Sequence, residues 1–121
     1  PILRGVVFDM DGTLTKPNLD FGEMYRRCGV DPSQDILQCV AQMVDEVERD
    51  RMVRIIDDME EMGRQTMELL PGAMELIQWF QAHDIPMALV TRNTYQTTSV
   101  LVQKLDCTFS PLIARDDDRY P

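Results

Sequence analysis

Two aspartates lie two positions apart near the start of the chain, in the segment Asp9-Met10-Asp11-Gly12. The mostly apolar residues 3–8 precede them and predict a short strand buried on both faces, as in a parallel sheet. Residues two apart in an extended chain point to the same side, so both carboxylates would lie together. Open α/β sheets bind their ligands at the carboxyl ends of strands. The pattern therefore predicts a polar site at the end of the first strand.

A pair of carboxylates in this position can do two kinds of chemistry. Like charges repel, and Mg²⁺, which prefers oxygen ligands, relieves the repulsion; we therefore expect Asp9 and Asp11 to be metal ligands. An ionised aspartate can also attack phosphorus to give an aspartyl phosphate, while a second carboxyl protonates the leaving group and later activates water. Gly12 would let backbone amides approach a phosphoryl group. The alternative is a structural Asp-Gly turn with a helix cap, but the preceding strand and the Gly12-Thr13 that follows favour a functional site.

A second polar group, Thr91-Arg92-Asn93, follows the apolar residues 85–90. In a parallel sheet Thr91 would lie at the same edge as Asp9. Its hydroxyl and the next backbone amide could hold a phosphoryl oxygen, to which Arg92 would add a cation and Asn93 a hydrogen bond. The alternative is an ordinary helix cap, and Thr91 taken alone favours that alternative.

The remaining pattern predicts an α/β fold. We expect strands at residues 3–8, 85–90 and 112–114, and helices at residues 73–82 and from about 95, after the polar turn at residues 91–94, to about 105. Strands that alternate with helices form parallel sheets with right-handed connections. The sequence therefore predicts a partial, three-layer Rossmann-like parallel sheet.

A long stretch between the first strand and residue 70 is predicted to be helical. Asp20 and Gly29 have the positions of a cap and a stop for a first helix, and Asp31 before Pro32 predicts the cap of a second. We expect a break between the last two helices near residues 48–50, with Gly63 ending the last. The stretch is too long for a simple crossover, so we expect a core of residues 1–15 and 71–121 with residues 16–70 inserted as a small helical domain.

Composition narrows the possible partners. The chain of 121 residues has 21 acidic and 12 basic side chains, for a net charge of -9. Nucleic acids and anionic membranes need clustered Lys and Arg, so we expect neither as a partner. No apolar run approaches the about 18 residues of a membrane span, and three widely spaced cysteines give neither a disulfide framework nor a zinc pattern. We expect a cytoplasmic protein, although the sequence leaves an organelle open.

These segments together resemble the haloacid dehalogenase superfamily. The segment from Gly5 to Thr15 resembles that family's motif I, and the segment from Leu70 to Asn93 is similar to its motif II region. The helical stretch lies where the family carries its first-type cap. The resemblance spans nearly the whole chain.

The resemblance implies a role for each matched residue. Asp9 would be the nucleophile and a Mg²⁺ ligand, and Asp11 the general acid and base, with its backbone carbonyl on Mg²⁺. Thr91 would bind the transferred phosphoryl group. An aspartate two residues after the nucleophile is the phosphatase and phosphomutase pattern, not the dehalogenase one. The cap would close over the site, exclude water and select the substrate.

Two further motifs of the family are expected beyond this sequence. The motif III lysine would follow a segment like residues 113–117, and the motif IV carboxylates would come later, but the sequence stops at Pro121. We interpret residues 116–118, three consecutive aspartates, as a solvated loop and not as metal ligands. Without the later strand, the first strand would be an exposed apolar edge. We therefore expect these residues to be part of a longer protein.

The function predicted is that of an enzyme, a Mg²⁺-dependent phosphatase. It would act on a small phosphorylated metabolite through an aspartyl-phosphate intermediate. One alternative is a phosphomutase, in which a sugar hydroxyl and not water accepts the phosphoryl group. Another is a catalytically incomplete fragment or relic that binds a partner through its methionine-rich helical stretch. The sequence leaves the oligomeric state open.

Overall fold

The computed structural model describes residues 3–121 and divides into two compact units. The core unit is the described part of residues 1–17 together with Met67–Pro121, and the helical unit is Asn18–Thr66. In chain order the elements are β1 (Val6–Phe8), α1 (Phe21–Cys28), α2 (Ile36–Gln42), α3 (Glu46–Gln65), α4 (Ala73–Ala82), β2 (Met87–Val90), α5 (Tyr95–Leu105) and β3 (Leu112–Ile113).

The core unit contains a three-stranded parallel sheet in the order β1-β2-β3. Phe8 of β1 is paired with Leu89 of β2, which in turn is paired with Leu112 of β3. Strands alternate with α4 and α5 along the chain, so the α/β, Rossmann-like fold class predicted from the sequence is confirmed. The strands are shorter than expected, since β2 begins at Met87 and β3 ends at Ile113.

One face of the sheet carries the core. Phe8 and Leu89 point to this face and are buried together with residues of α4 and α5 (Ala73, Ile77, Phe80, Leu101 and Leu105). The Phe8 ring meets the Phe80 ring edge to face, with 5.6 Å between their centroids, a favourable aromatic geometry. Val7 points to the opposite face because side chains alternate along a strand, and it is 69% exposed. Within residues 3–121, β1 is an edge strand, as expected.

The helical unit has its own small core. Its buried apolar side chains come from all three helices (Met24, Cys28, Ile36, Met52 and Ile56). Asp20 caps α1 by accepting the backbone N–H of Glu23 at 3.0 Å, and Gly29 ends it at φ 72°, as predicted. The second helix begins later than expected: Asp35, not Asp31, is its cap.

The break between α2 and α3 lies at residues 43–45, not at residues 48–50 as expected. Asp45 has extended backbone angles, and its Oδ1 accepts the N–H groups of Val47 at 3.0 Å and Glu48 at 3.2 Å. Each helix start leaves such N–H groups without partners in the helix, so the side chain of Asp45 fixes where α3 begins. The sequence interpretation missed this because the apolar spacing continues across the break.

Gly63 does not end α3 as predicted. The helix continues to Gln65, and Gly63 is buried within it. A Cβ at this position would lie 3.2 Å from Cδ2 of Leu19, which is tighter than ordinary contact. The glycine therefore allows Leu19 to pack closely against the helix. Among residues 3–121, none of the helices combines the length and hydropathy needed to cross a membrane.

The position of the break gives a stability test. Asp45→Ala should lower the free energy of unfolding by about 1 kcal/mol, because two helix N–H groups lose their acceptor. Asp50→Ala is the matched control, since Asp50 is exposed inside α3, where alanine is the better helix former. Urea unfolding followed by circular dichroism measures both. A larger loss from Asp50→Ala than from Asp45→Ala would contradict the observed break.

Candidate active site

The segment between β1 and the helical unit forms a tight turn in which one backbone carbonyl, that of Met10, accepts several N–H groups. The oxygen of Met10 accepts the N–H groups of Thr13 at 3.2 Å, Leu14 at 2.8 Å and Thr15 at 3.2 Å. The side chains of Met10 and Leu14 are almost completely buried in the core. The two apolar residues therefore anchor the loop, and the polar residues between them are left at the surface.

Asp9 and Asp11 are both exposed, with buried Met10 between them. This alternation is expected if both carboxylates lie on the side opposite Met10. Oδ1 of Asp9 accepts the N–H of Met10 at 2.8 Å. Oδ1 of Asp11 lies 3.4 Å from the hydroxyl of Thr15.

Gly12 takes a backbone conformation that favours glycine. Its φ of 79° lies in the left-handed region, where a side chain would be strained. Its N–H donates to the carbonyl of Thr15 at 2.8 Å, so this amide is used inside the loop, and the access of neighbouring amides to a phosphoryl group stays a prediction. Gly12 thus permits the turn that exposes Asp11.

The register of the sheet brings the second predicted segment to the same edge. Because Phe8 is paired with Leu89, Asp9 and Thr91 both lie just beyond the carboxyl ends of their strands. Asn93 then joins the two segments: its Nδ2 donates to Oδ2 of Asp11 at 2.9 Å and to Oγ1 of Thr91 at 3.1 Å. Residues 82 apart in sequence are directly hydrogen-bonded.

The loop after β3 holds the loop after β2. The N–H of Arg115 donates to the carbonyl of Asn93 at 3.0 Å, and Nη1 of Arg115 donates to the carbonyl of Arg92 at 3.1 Å. Arg92 itself is exposed between the two buried polar residues. Oδ1 of Asp116 accepts the N–H of Tyr95 at 3.1 Å, at the start of α5. These contacts fix the backbone that carries Thr91 and Asn93.

Residues 116–118 lie in the loop after β3 with Asp116 and Asp118 exposed, as interpreted from the sequence, but the side chain of Asp117 is held by contacts within the protein. Asp117 accepts the hydroxyl of Tyr95, the backbone N–H of Arg119 at 2.8 Å and Nη2 of Arg119 at 2.7 Å. The side-chain hydrogen bonds from Arg119, with its backbone N–H, lower the pKa of Asp117 from 3.8 to about 2. No sequence signal indicated this, because the contact to Tyr95 joins residues far apart in the chain.

The oxygen atoms available as metal ligands at this edge of the sheet fit a magnesium ion in part. Among residues 3–121 there is no group of three or more His, Cys, Asp or Glu side chains that could hold a metal. Asp9 and Asp11 nevertheless supply two carboxylates, and Mg²⁺ is often bound by one or two carboxylates together with waters and phosphate oxygens. The pair therefore suits a magnesium ion that shares its coordination with a phosphorylated ligand.

A surface groove of about 420 Å³ lies elsewhere in the core unit. It is lined by residues around the start of β2, among them Gln81, Met87 and Cys107. The carboxylates lie beyond the opposite ends of the strands, so this groove belongs to the other edge of the sheet. We assign it no part in the site.

Comparison with known proteins identifies the fold. Residues 3–121 match the family described as haloacid dehalogenase-like hydrolase. The chain belongs to this family. A haloacid dehalogenase-like hydrolase domain-containing protein of Arabidopsis thaliana is 36% identical over 129 residues, which cover 98% of this chain and 52% of the plant protein. The chain thus spans about half the length of this curated relative.

Two solved structures show the same fold. A hydrolase from Pseudomonas syringae superposes with a TM-score of 0.66 at 17% identity, over 97% of this chain and 62% of that one. A family IA, variant 3 haloacid dehalogenase hydrolase from Entamoeba histolytica gives 0.58 at 18% identity, over 98% and 64%. At these identities the likeness shows the fold alone.

The lowered pKa of Asp117 predicts a pH-dependent contribution to stability. A carboxyl whose pKa falls on folding stabilises the folded state above its unfolded value, and this is lost as the pH falls through the folded value. Asp117→Asn should therefore lower the melting temperature above about pH 4, and the effect should shrink between pH 3.8 and about 2. The exposed Asp118→Asn is the control of equal charge change. An Asp117→Asn effect that is the same at pH 7 and pH 2.5 would contradict the ion pair.

Proposed function

We propose that the protein containing this chain is a Mg²⁺-dependent phosphatase that hydrolyses a small phosphorylated metabolite through an aspartyl phosphate. The observation that supports it most directly is the hydrogen-bonded set of Asp11, Asn93 and Thr91 beside Asp9. A carboxylate nucleophile, a second carboxyl and a buried hydroxyl at one sheet edge are the groups that phosphoryl transfer to aspartate requires.

Each group has a defined part in the first step. A carboxylate oxygen of Asp9 attacks phosphorus, and the bond between phosphorus and the leaving oxygen breaks. The carboxyl of Asp11 gives its proton to that leaving oxygen, so the alcohol departs neutral. The hydroxyl of Thr91 donates to a phosphoryl oxygen, and Arg92 adds positive charge on the same loop.

The second step returns the enzyme to its starting state. Asp11, now ionised, takes a proton from water as the water oxygen attacks phosphorus, and the bond from phosphorus to Asp9 breaks to release inorganic phosphate. Mg²⁺ held by the carboxylate of Asp9 and the backbone carbonyl of Asp11 would neutralise the negative charge of the phosphoryl group and of Asp9. We propose that the helical unit selects the substrate.

Hydrolysis of a generic aryl phosphate by the full natural chain tests this function. With Mg²⁺ we expect turnover that a chelator abolishes and added Mg²⁺ restores. Asp9→Asn should remove turnover, because the covalent route loses its nucleophile, and Asp11→Asn should lower kcat by roughly 10²- to 10⁴-fold, as expected for a lost acid and base. Asp118→Asn has the same charge change at an exposed position and should retain activity.

The outcomes separate the alternatives. Full turnover by Asp9→Asn would exclude the aspartyl-phosphate route. Phosphoryl transfer to a sugar hydroxyl without release of inorganic phosphate would identify a phosphomutase. Absence of turnover in the full natural chain with Mg²⁺ would exclude the enzyme and leave an interaction module.

A further inference from the structure

We propose that Asn93 is a positioning residue that fixes the hydroxyl of Thr91 as a hydrogen-bond donor and orients the carboxyl of Asp11, and that it does not contact the phosphoryl group. This inference rests on the proposed function, which it deepens. It also departs from the sequence prediction, in which Asn93 itself donates a hydrogen bond to the phosphoryl oxygen.

The side-chain nitrogen of Asn93 is engaged within the protein. Asn93 is 8% exposed, and its Nδ2 lies 2.9 Å from Oδ2 of Asp11, 3.1 Å from Oγ1 of Thr91 and 3.5 Å from Sδ of Met10. The nitrogen of the amide, and not its oxygen, faces both Asp11 and Thr91, and an amide nitrogen carries two N–H donors. Its two N–H groups are then taken by Asp11 and Thr91.

These contacts determine what the hydroxyl of Thr91 can do. A hydroxyl has one hydrogen to donate and two lone pairs that accept. Oγ1 of Thr91 accepts both the backbone N–H of Asn93 at 3.1 Å and Nδ2 of Asn93 at 3.1 Å. With both lone pairs used, the hydroxyl can only donate. A side chain that can only donate suits an anionic phosphoryl oxygen and disfavours a ligand that would itself donate.

Asn93 also restricts the carboxyl of Asp11. Oδ2 of Asp11 accepts from Asn93, and Oδ1 lies 3.4 Å from the hydroxyl of Thr15. Contacts on both oxygens oppose rotation of the carboxyl, and a general acid is effective only when its proton points at the leaving group. The carbonyl of Asn93 is in turn held by the N–H of Arg115, so the residue that positions Asp11 is itself held at its backbone.

Nuclear magnetic resonance tests the placement of the Asn93 side chain and needs no activity assay. In the full natural chain, the side-chain amide protons of Asn93 should exchange with water at least tenfold more slowly than those of Gln81, an exposed amide in the same unit. Protection should persist when inorganic phosphate and Mg²⁺ are added, and should fall in Asp11→Ala and in Thr91→Val. Exchange as fast as that of Gln81, or loss of protection on adding phosphate, would overturn the inference.

A double-mutant cycle tests the mechanism. Asn93→Leu keeps the approximate shape of the side chain, adds no charge and removes both donors, and it should lower kcat for the aryl phosphate by roughly tenfold or more. In an Asp11→Ala, Thr91→Val background, the same change should alter the residual rate less than about threefold, because Asn93 acts through those two residues. Gln81→Met is the matched control with a similar amide-to-apolar change at an exposed position, and it should retain the wild-type rate.

Additive losses would mean that Asn93 acts on the substrate directly and would overturn the inference. The exchange measurement on the unmodified chain remains decisive if Asn93→Leu fails to fold. Absence of phosphatase activity in the unmodified chain would exclude the proposed function, whereas rapid exchange of the Asn93 amide in an active chain would exclude the positioning role alone.

Discussion

Parallel pairing of β1 with β2 is the constraint on which the site depends. The pairing of Phe8 with Leu89 places the ends of both strands at one edge, although the two segments are about eighty residues apart in the chain. Burial of Phe8 and Leu89 against α4 and α5 holds this register, since a slip of one residue would turn the side chains of the shifted strand out of the core. The hydrogen bonds of Asn93 to Asp11 and Thr91 can form only in this register, so the core positions the chemistry.

The loop after β1 combines buried apolar side chains with exposed carboxylates. Met10 and Leu14 are buried, while Asp9, just before Met10, and Asp11, between Met10 and Leu14, stay at the surface. Desolvating an unpaired carboxylate is costly, so apolar anchors on either side keep the acidic groups near water without loosening the loop. The positive φ of Gly12 completes the turn. The same arrangement leaves the carboxylates open to a cation and a phosphorylated ligand.

The sequence pattern predicted helices correctly where a signal within the helix or at its start was sufficient. The expected helix at residues 73–82 is α4, and the expected start of α5 after Thr94 is confirmed. The sequence also placed Asp9 and Thr91 at the same edge of the sheet. It was wrong or incomplete where a distant residue is the partner: Gly63 continues a helix and Leu19 packs on it, and the carboxylate of Asp117 accepts the hydroxyl of Tyr95. The break at residues 43–45 was missed because the spacing of apolar residues carries no information on the capping side chain, Asp45.

Electrostatics explains why the proposed reaction needs a cation as well as these hydrogen bonds. A phosphoryl group brings negative charge to a site that already holds Asp9 and Asp11, in a chain whose net charge is -9. At about 4 Å two like charges repel by roughly 4 kcal/mol near a protein surface, more than the 1.5–3 kcal/mol gained from one hydrogen bond to a charged group. In the proposed reaction the hydroxyl of Thr91 would therefore orient a phosphoryl oxygen without offsetting the repulsion, whereas a divalent ion held beside Asp9 would remove its source. A cation would then supply the attraction, and the contacts of Asn93 with Asp11 and Thr91 would supply the geometry.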